Sequence, residues 1–442
     1  MPIEIAINGS TAPPAAYVTW ASSACALTQT ESEDLTVTLK NEPDPGGGRV
    51  RFRASPADAY TDELTLTIPA GGRVEFQTAG RFGSPSSRDR DTAIVVVDES
   101  GSERHRKPLM VRIRKNADDL TEDERDRFLS AIVRLDTVGV DGLIPFLDVQ
   151  NMHTVQADPE IHQRPSFLPW HRAYVLDLER RLQAIDPSVA LPYWRFDEPN
   201  PNVFTRDFMG VPTRSGELDF TATNPLINWV SRVAGSGNPR IRRYNFLVIF
   251  DRQGNARETR PFDPATARAV AVSNGQFDTV NLGADPVSGA HSFERFRRME
   301  GDPHGAAHVS FFGQISSAAT APADPLFFLL HCNVDRLWAR WQWLHDGYGG
   351  TRAYALSGRG DRVPTVPRVG DFADDTMWPW DRDRQAPRPN TAPGGAFPTG
   401  VVAAPASSPT VAEMLDFQGQ LAAAANLGFG YDDVELEHGG HP

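Results

Sequence analysis

The chain has 442 residues, 40% of them hydrophobic, and a formal net charge of −13, enough to build two domains or one large one with a substantial core. Its Lys and Arg residues are mixed with acids, which argues against a nucleic-acid partner because phosphate binding needs clustered basic side chains. No apolar run approaches the length of a bilayer-spanning helix, and the first residues lack a basic start followed by an apolar core, so no membrane partner and a cytoplasmic location are expected.

From Pro2 to about Lys115 the runs "IEIAI", "LTVTL", "RVRFRA", "ELTLTI", "RVEFQT", "AIVVV" and "LMVRIR" alternate with turn segments such as "DPGGG" and "PAGG". This pattern predicts an N-terminal all-β sandwich of seven strands over residues 1–115. After Asn116 the hydrophobic period changes from two to about 3.6. Thr121 and Glu124 form a capping box ahead of the apolar face of Phe128, Ile132 and Leu135, which starts a mainly α-helical domain over residues 116–442. Long Pro- and Gly-rich segments, "DEPNPNVF" and "QAPRPNTAPGGAFPTG", read as packed coverings rather than linkers. The end, "ELEHGGHP", reads as a tail, with His438 and His441 in it.

Within the helical part, Leu168, His171, Val175, Leu178, Leu182 and Ile185 recur at helical steps, so His171 faces inward while Arg172, Glu179, Arg180 and Gln183 fall elsewhere. His162 and His153 precede it at nine-residue intervals. In "GDPHGAAHVSFFG", His304 and His308 share one helical face, with Asp302 as N-cap and Pro303 at the first helical position. In "ADPLFFLLHCNVDRLWARWQWLHDG", Asp324 and Pro325 open a helix that Gly347 closes, and His331 shares a face with Asp335 and Trp338. His105, His291 and His345 have no such company.

Burying six imidazoles as ordinary core residues would be costly, since each carries a donor and an acceptor to satisfy; a shared metal is the simpler explanation. Cys25 and Cys332 lack the spacing of a thiolate site, so the ligands are nitrogens. All-imidazole sites suit copper, zinc or nickel, and two three-histidine sites favour a pair of copper ions.

These residues resemble the type 3 copper proteins, the superfamily of tyrosinases, catechol oxidases (polyphenol oxidases) and haemocyanins. The likeness runs from about Arg114 to Asp432 and rests on "HQRPSFLPWHRAYVLDLE" followed by "LPYWRFD", and on "PHGAAH" followed by "DPLFFLLHCNVDRLW". It implies that His153, His162 and His171 hold one copper and His304, His308 and His331 the other. Glu300 stands where plant-type members keep a water-holding glutamate, a candidate catalytic group for taking a phenolic proton. The resemblance also implies that Arg172 and Asp335 lock two ligand helices together, that Gly305 and Val309 border the substrate pocket, and that residues 1–115 are a candidate cover of the active site.

Three positions depart from the family pattern. Glu160 stands two before His162, where some eukaryotic members carry a cysteine joined to a ligand histidine. Gly305 replaces the Asn of several phenol-hydroxylating members, and Leu330 replaces the first histidine of a usual pair. The implied function is a dicopper oxidase that uses O2 to convert o-diphenols to o-quinones, with monophenols and o-aminophenols as further candidate substrates. A haemocyanin-like oxygen carrier with an occluded site and a zinc hydrolase stand as alternatives.

Overall fold

The computed structural model describes residues 3–137, 145–196, 198–232, 240–250, 256–261, 292–301, 303–309, 312–345, 347–349, 369–395, 397–398 and 400–436. Asp302, His291, His438 and His441 lie outside them.

The N-terminal part holds strands β1 (Glu4–Ile7), β2 (Tyr17–Val18), β3 (Ser23–Thr28), β4 (Leu35–Pro43), β5 (Val50–Arg53), β6 (Glu63–Ile68), β7 (Arg73–Gly80), β8 (Thr92–Asp98) and β9 (Glu103–Val111). They form a four-stranded sheet in the order β1-β3-β7-β5 and a five-stranded sheet in the order β2-β9-β8-β4-β6. Alternation drives the packing: Val37 and Leu39 are buried, while Thr36 and Thr38, alternating with them, face out and hydrogen-bond Thr67 and Thr65 of β6. Ile5, Leu27, Phe52 and Phe76 of one sheet share a core with Val37, Leu39, Ile94, Val96 and Leu109 of the other.

Nine strands therefore stand where seven runs were expected. The two additions are β2, whose two residues are too few to show a period, and β3, whose sequence SACALT places small side chains on both faces.

The helical part holds α1 (Glu122–Thr137), α2 (Pro145–Met152), α3 (Asp158–Ile161), α4 (Phe167–Ile185), α5 (Ser292–Arg297), α6 (His304–His308) and α7 (Leu326–His345). The capping box before α1 is formed: Thr121 N–H donates to Glu124 Oε2 and Glu124 N–H to Thr121 Oγ1. Asp324 caps α7 by accepting Leu326 N–H at 2.9 Å, and its carboxylate is held by Arg243 on both oxygens. Among the described residues no helix is long and apolar enough to cross a membrane.

α4 is buried on every side, not on one stripe. Arg172, Glu179 and Arg180 are buried along with the apolar face. The reason is that each has a partner brought by a distant segment: Asp335 for Arg172, Arg114 for Glu179, and the carbonyls of Ala404 and Leu427 for Arg180. The segment after Val369, which among its described residues carries no helix of more than one turn, supplies much of that covering through Trp378, Trp380 and Phe417.

The β part is tied to the helices by direct hydrogen bonds. Trp20 Nε1–H donates to Tyr431 O at 2.8 Å, Arg112 to Pro187 O, Arg127 to Ser87 O, and Lys115 to both Ser86 O and Glu124.

Candidate metal centre

Five segments bring the six histidines together. His153 follows α2, His162 follows α3, and His171 sits one turn into α4. His304 and His308 are the ends of α6, and His331 lies in the second turn of α7. Pro303 stands just before α6, so this helix begins one residue later than the sequence reading placed it, and Pro303 takes the N-cap position.

A ligand nitrogen from each of His153, His162 and His171 lies within 4.8 Å of the others, and the same holds for His304, His308 and His331. The two triads adjoin: the rings of His171 and His331 stack at 4.3 Å with planes 9° apart, and His153 lies 6.2 Å from His331.

Hydrogen bonds at the far side of each ring decide which nitrogen faces inward. His153 Nδ1 meets Ala318 O at 3.0 Å, His171 Nδ1 meets Phe167 O at 2.7 Å, His304 Nδ1 meets Glu300 O at 2.7 Å and His308 Nδ1 meets Ile315 O at 2.8 Å. A carbonyl oxygen only accepts, so these Nδ1 atoms carry the proton and Nε2 presents a lone pair. His162 Nδ1 is held at 2.8 Å by the Asp158 carboxylate, one turn earlier in α3. His331 Nδ1 has no partner among the described residues; packing against Phe327 at 4.3 Å and against His171 orients its ring instead.

This arrangement fits a metal. The Nε2 atoms of His304, His308 and His331 form a triangle with sides of 3.1, 3.2 and 3.4 Å, and three imidazole nitrogens bound to one ion at about 2.0 Å lie about 3.3 Å apart in tetrahedral geometry. In the other triad, the Nε2 atoms of His153 and His171 are buried without a partner, a cost that a shared cation removes. Burial first, and neighbouring imidazoles second, hold His153, His171 and His331 well below the usual imidazole value; burial with the nearby His308 does the same for His304. His308 is pushed down to about 4, chiefly by burial. Neutral imidazole is the form that ligates.

Around the triads, Phe167 packs on His171 at 4.6 Å and on His304 at 4.9 Å, while Phe327 touches His153, His308 and His331. Arg172 Nε donates to Asp335 Oδ1 at 2.5 Å, linking α4 next to His171 with α7 one turn beyond His331. Asp335 Oδ2 also accepts from Arg114 and from the Tyr431 hydroxyl. Glu300 lies just ahead of α6; its carboxyl is raised by burial, Oε1 accepts Gln163 N–H and Oε2 meets Arg297 at 3.3 Å. Val309, directly after His308, is 46% exposed, and a Cβ at Gly305 would meet Glu300 O at 3.4 Å. Leu330 is buried in the apolar core. His105 lies on β9, and His345 at the end of α7 packs on Trp341.

The roles of three groups were not read from the sequence. Asp158 carried a signal, since it precedes His162 by four residues. Glu160 is buried and paired with Arg388 at 2.7 and 3.1 Å, and it also accepts Trp378 N–H. Arg114 holds Glu179, Asp335 and Tyr431 together from the end of the N-terminal part. Neither Arg388 nor Arg114 had a local pattern to mark it. Cys25 and Cys332 are both buried free thiols.

The sequence also matches known proteins. The common central domain of tyrosinase matches residues 145–344. A tyrosinase of Streptomyces glaucescens is 31% identical over 278 residues, 61% of this chain and 92% of that one. Grixazone synthase of Streptomyces griseus is 31% identical over 267 residues, 53% of this chain and 86% of that one. Among solved structures, latent apple tyrosinase is 21% identical with a TM-score of 0.43, covering 75% of this chain and 64% of that one. The chain belongs to the tyrosinase family of type 3 copper proteins, and it is a copper oxidoreductase whose cofactor is a pair of copper ions.

Proposed function

We propose that the protein oxidises o-diphenols to o-quinones with dioxygen, with His153, His162 and His171 holding one copper and His304, His308 and His331 the other. The observation that carries this reading is the convergence of the six imidazoles in two adjoining triads. When bound, the copper pair supplies the electron transfer, so that two catechols give two o-quinones while one dioxygen becomes two waters.

The chain's own residues supply the rest. Gly305 and Val309 each follow a histidine of the second triad, one without a side chain and the other apolar and exposed, an entrance that suits the flat ring of a phenol. Glu300, a carboxylate just ahead of α6, is assigned to accept a phenolic proton; the two hydrogen bonds it makes leave it lone pairs to do so. Gly305 offers no side-chain amide to assist, which supports diphenols over monophenols as substrates. Phe167 and Phe327 keep water from the ligand imidazoles.

In this reading residues 1–115 are a β-sandwich domain and residues 116–442 the dicopper catalytic domain. The bonds that join them reach Pro187, just past the end of α4, and Tyr431, whose hydroxyl in turn donates to Asp335 on α7, which supports a brace for the ligand helices.

Copper-loaded full-length protein given catechol in air should form quinone and consume dioxygen in a ratio of two to one. Protein that holds two coppers yet turns over no catechol would overturn the oxidase reading in favour of an oxygen carrier.

A further inference from the structure

The residue directly after His162 sits in a backbone conformation that needs holding. Gln163 has φ +57°, the left-handed region that non-glycine residues rarely adopt, and its side chain is exposed, so packing does not fix it there. What grips it is its N–H, which donates to Glu300 Oε1 at 2.5 Å across 137 residues of sequence. The carbonyl of the same Glu300 accepts His304 Nδ1–H at 2.7 Å. One residue thus touches the His162 loop with its side chain and a histidine of the other triad with its main chain.

We propose that Glu300 is a positioning residue, a strut that holds the strained His162 loop against α6 and so sets the spacing between the two halves of the metal centre. This role rests on the dicopper reading and is separate from proton acceptance. The strut needs only a hydrogen-bond acceptor at Oε1, whereas proton acceptance needs the carboxylate. The neighbouring groups fit it: Asp158 orients the His162 ring, Arg164 pairs with Asp371 at 3.0 Å, and Arg297 steadies the second oxygen of Glu300. Burial raises the Glu300 carboxyl, in keeping with a side chain turned into the protein rather than toward solvent.

The test uses the full chain as Glu300→Ala, Glu300→Gln and Glu300→Ala with Gln163→Gly. The amide oxygen of Gln still accepts a hydrogen bond, and Gly adopts positive φ without strain. Two readouts apply: copper per chain against a chelator, and amide hydrogen exchange of residues 162–166 in metal-free protein. The strut predicts that Glu300→Ala loses one copper at a chelator concentration roughly ten- to hundredfold below that tolerated by the parent and exchanges faster in the loop. Glu300→Gln should match the parent in both, and the double variant that adds Gln163→Gly should recover copper retention. Unchanged retention and exchange in Glu300→Ala would overturn the proposal, as would Glu300→Gln behaving like Glu300→Ala. If the parent itself binds no copper pair, the oxidase reading falls, and the exchange data still decide the strut.

Discussion

Replacing Arg172 by Met tests whether the two ligand helices are held by charge as well as by shape. The guanidinium is fully buried; it donates to Asp335, Gln342 Oε1 and Met414 O, and stands 3.8 Å over Trp338 and 4.5 Å over Phe417. Met fills most of the stem but strands one oxygen of Asp335 and two other acceptors. Breaking one side of a buried pair costs about 3–5 kcal/mol, and the lower end applies because Asp335 keeps Arg114 and Tyr431. Asp335→Leu should cost more, about 4–5 kcal/mol, because it leaves two buried guanidiniums facing each other without their shared anion. The double variant should cost roughly 2–3 kcal/mol less than the sum, since the two residues share one interaction. Thermal unfolding of metal-free protein should show Arg172→Met lower in Tm by roughly 3–5 °C, and chelator competition should show copper bound about 10–100-fold more weakly. A loss under about 1 kcal/mol, or strict additivity in the double variant, would refute the idea that this pair fixes α4 against α7.

Arg388→Met leaves the buried Glu160 carboxyl with Trp378 N–H as its remaining partner. Burial already pushes Glu160 up to about 7 against the pull of Arg388, so the variant's stability should be fullest below about pH 4.5 and lost as pH rises through 7 and above, by about 3 kcal/mol; urea unfolding from pH 5 to 8 reads this, and a pH-independent loss contradicts it. In metal-free parent protein, His308 is held down to about 4. Its contribution to stability is therefore complete above about pH 6.5 and lost as pH falls through 4, about 3 kcal/mol from this residue alone. Thermal scans in chelator between pH 7 and 4 should show that decline, and a flat profile would mean the imidazole is not buried.

Sequence made the triads legible because metal ligation writes itself in residue type and spacing: His304 and His308 share a face, and Asp324 and Thr121 announce the helices they precede. The resemblance then supplied the pairing between triads, which spacing alone leaves open. What stayed hidden has two physical origins. Carbonyls such as Ala318 O and Ile315 O orient ligand rings without any side chain to mark them. Long-range charge pairs leave no local period either: Glu160 and Arg388 are 228 residues apart, and Arg114 and Asp335 are 221 apart. The same blindness made α4 look amphipathic, because a charged residue reads as exposed until its distant partner is known.

The triangle formed by His304, His308 and His331 carries a consequence for how metal enters. Three Nε2 atoms 3.1–3.4 Å apart cannot all present lone pairs to one another; they need a shared cation or a shared proton. His304 and His308 have committed their protons to carbonyls at Nδ1. Only His331, with Nδ1 unpartnered, is free to carry its proton on Nε2 and donate it to a neighbour. A cation held by all three Nε2 atoms would require that proton to sit on His331 Nδ1, a change of tautomer with no net proton released from this triad. The change of tautomer thus falls to the one imidazole of this triad whose Nδ1 meets no partner among the described residues.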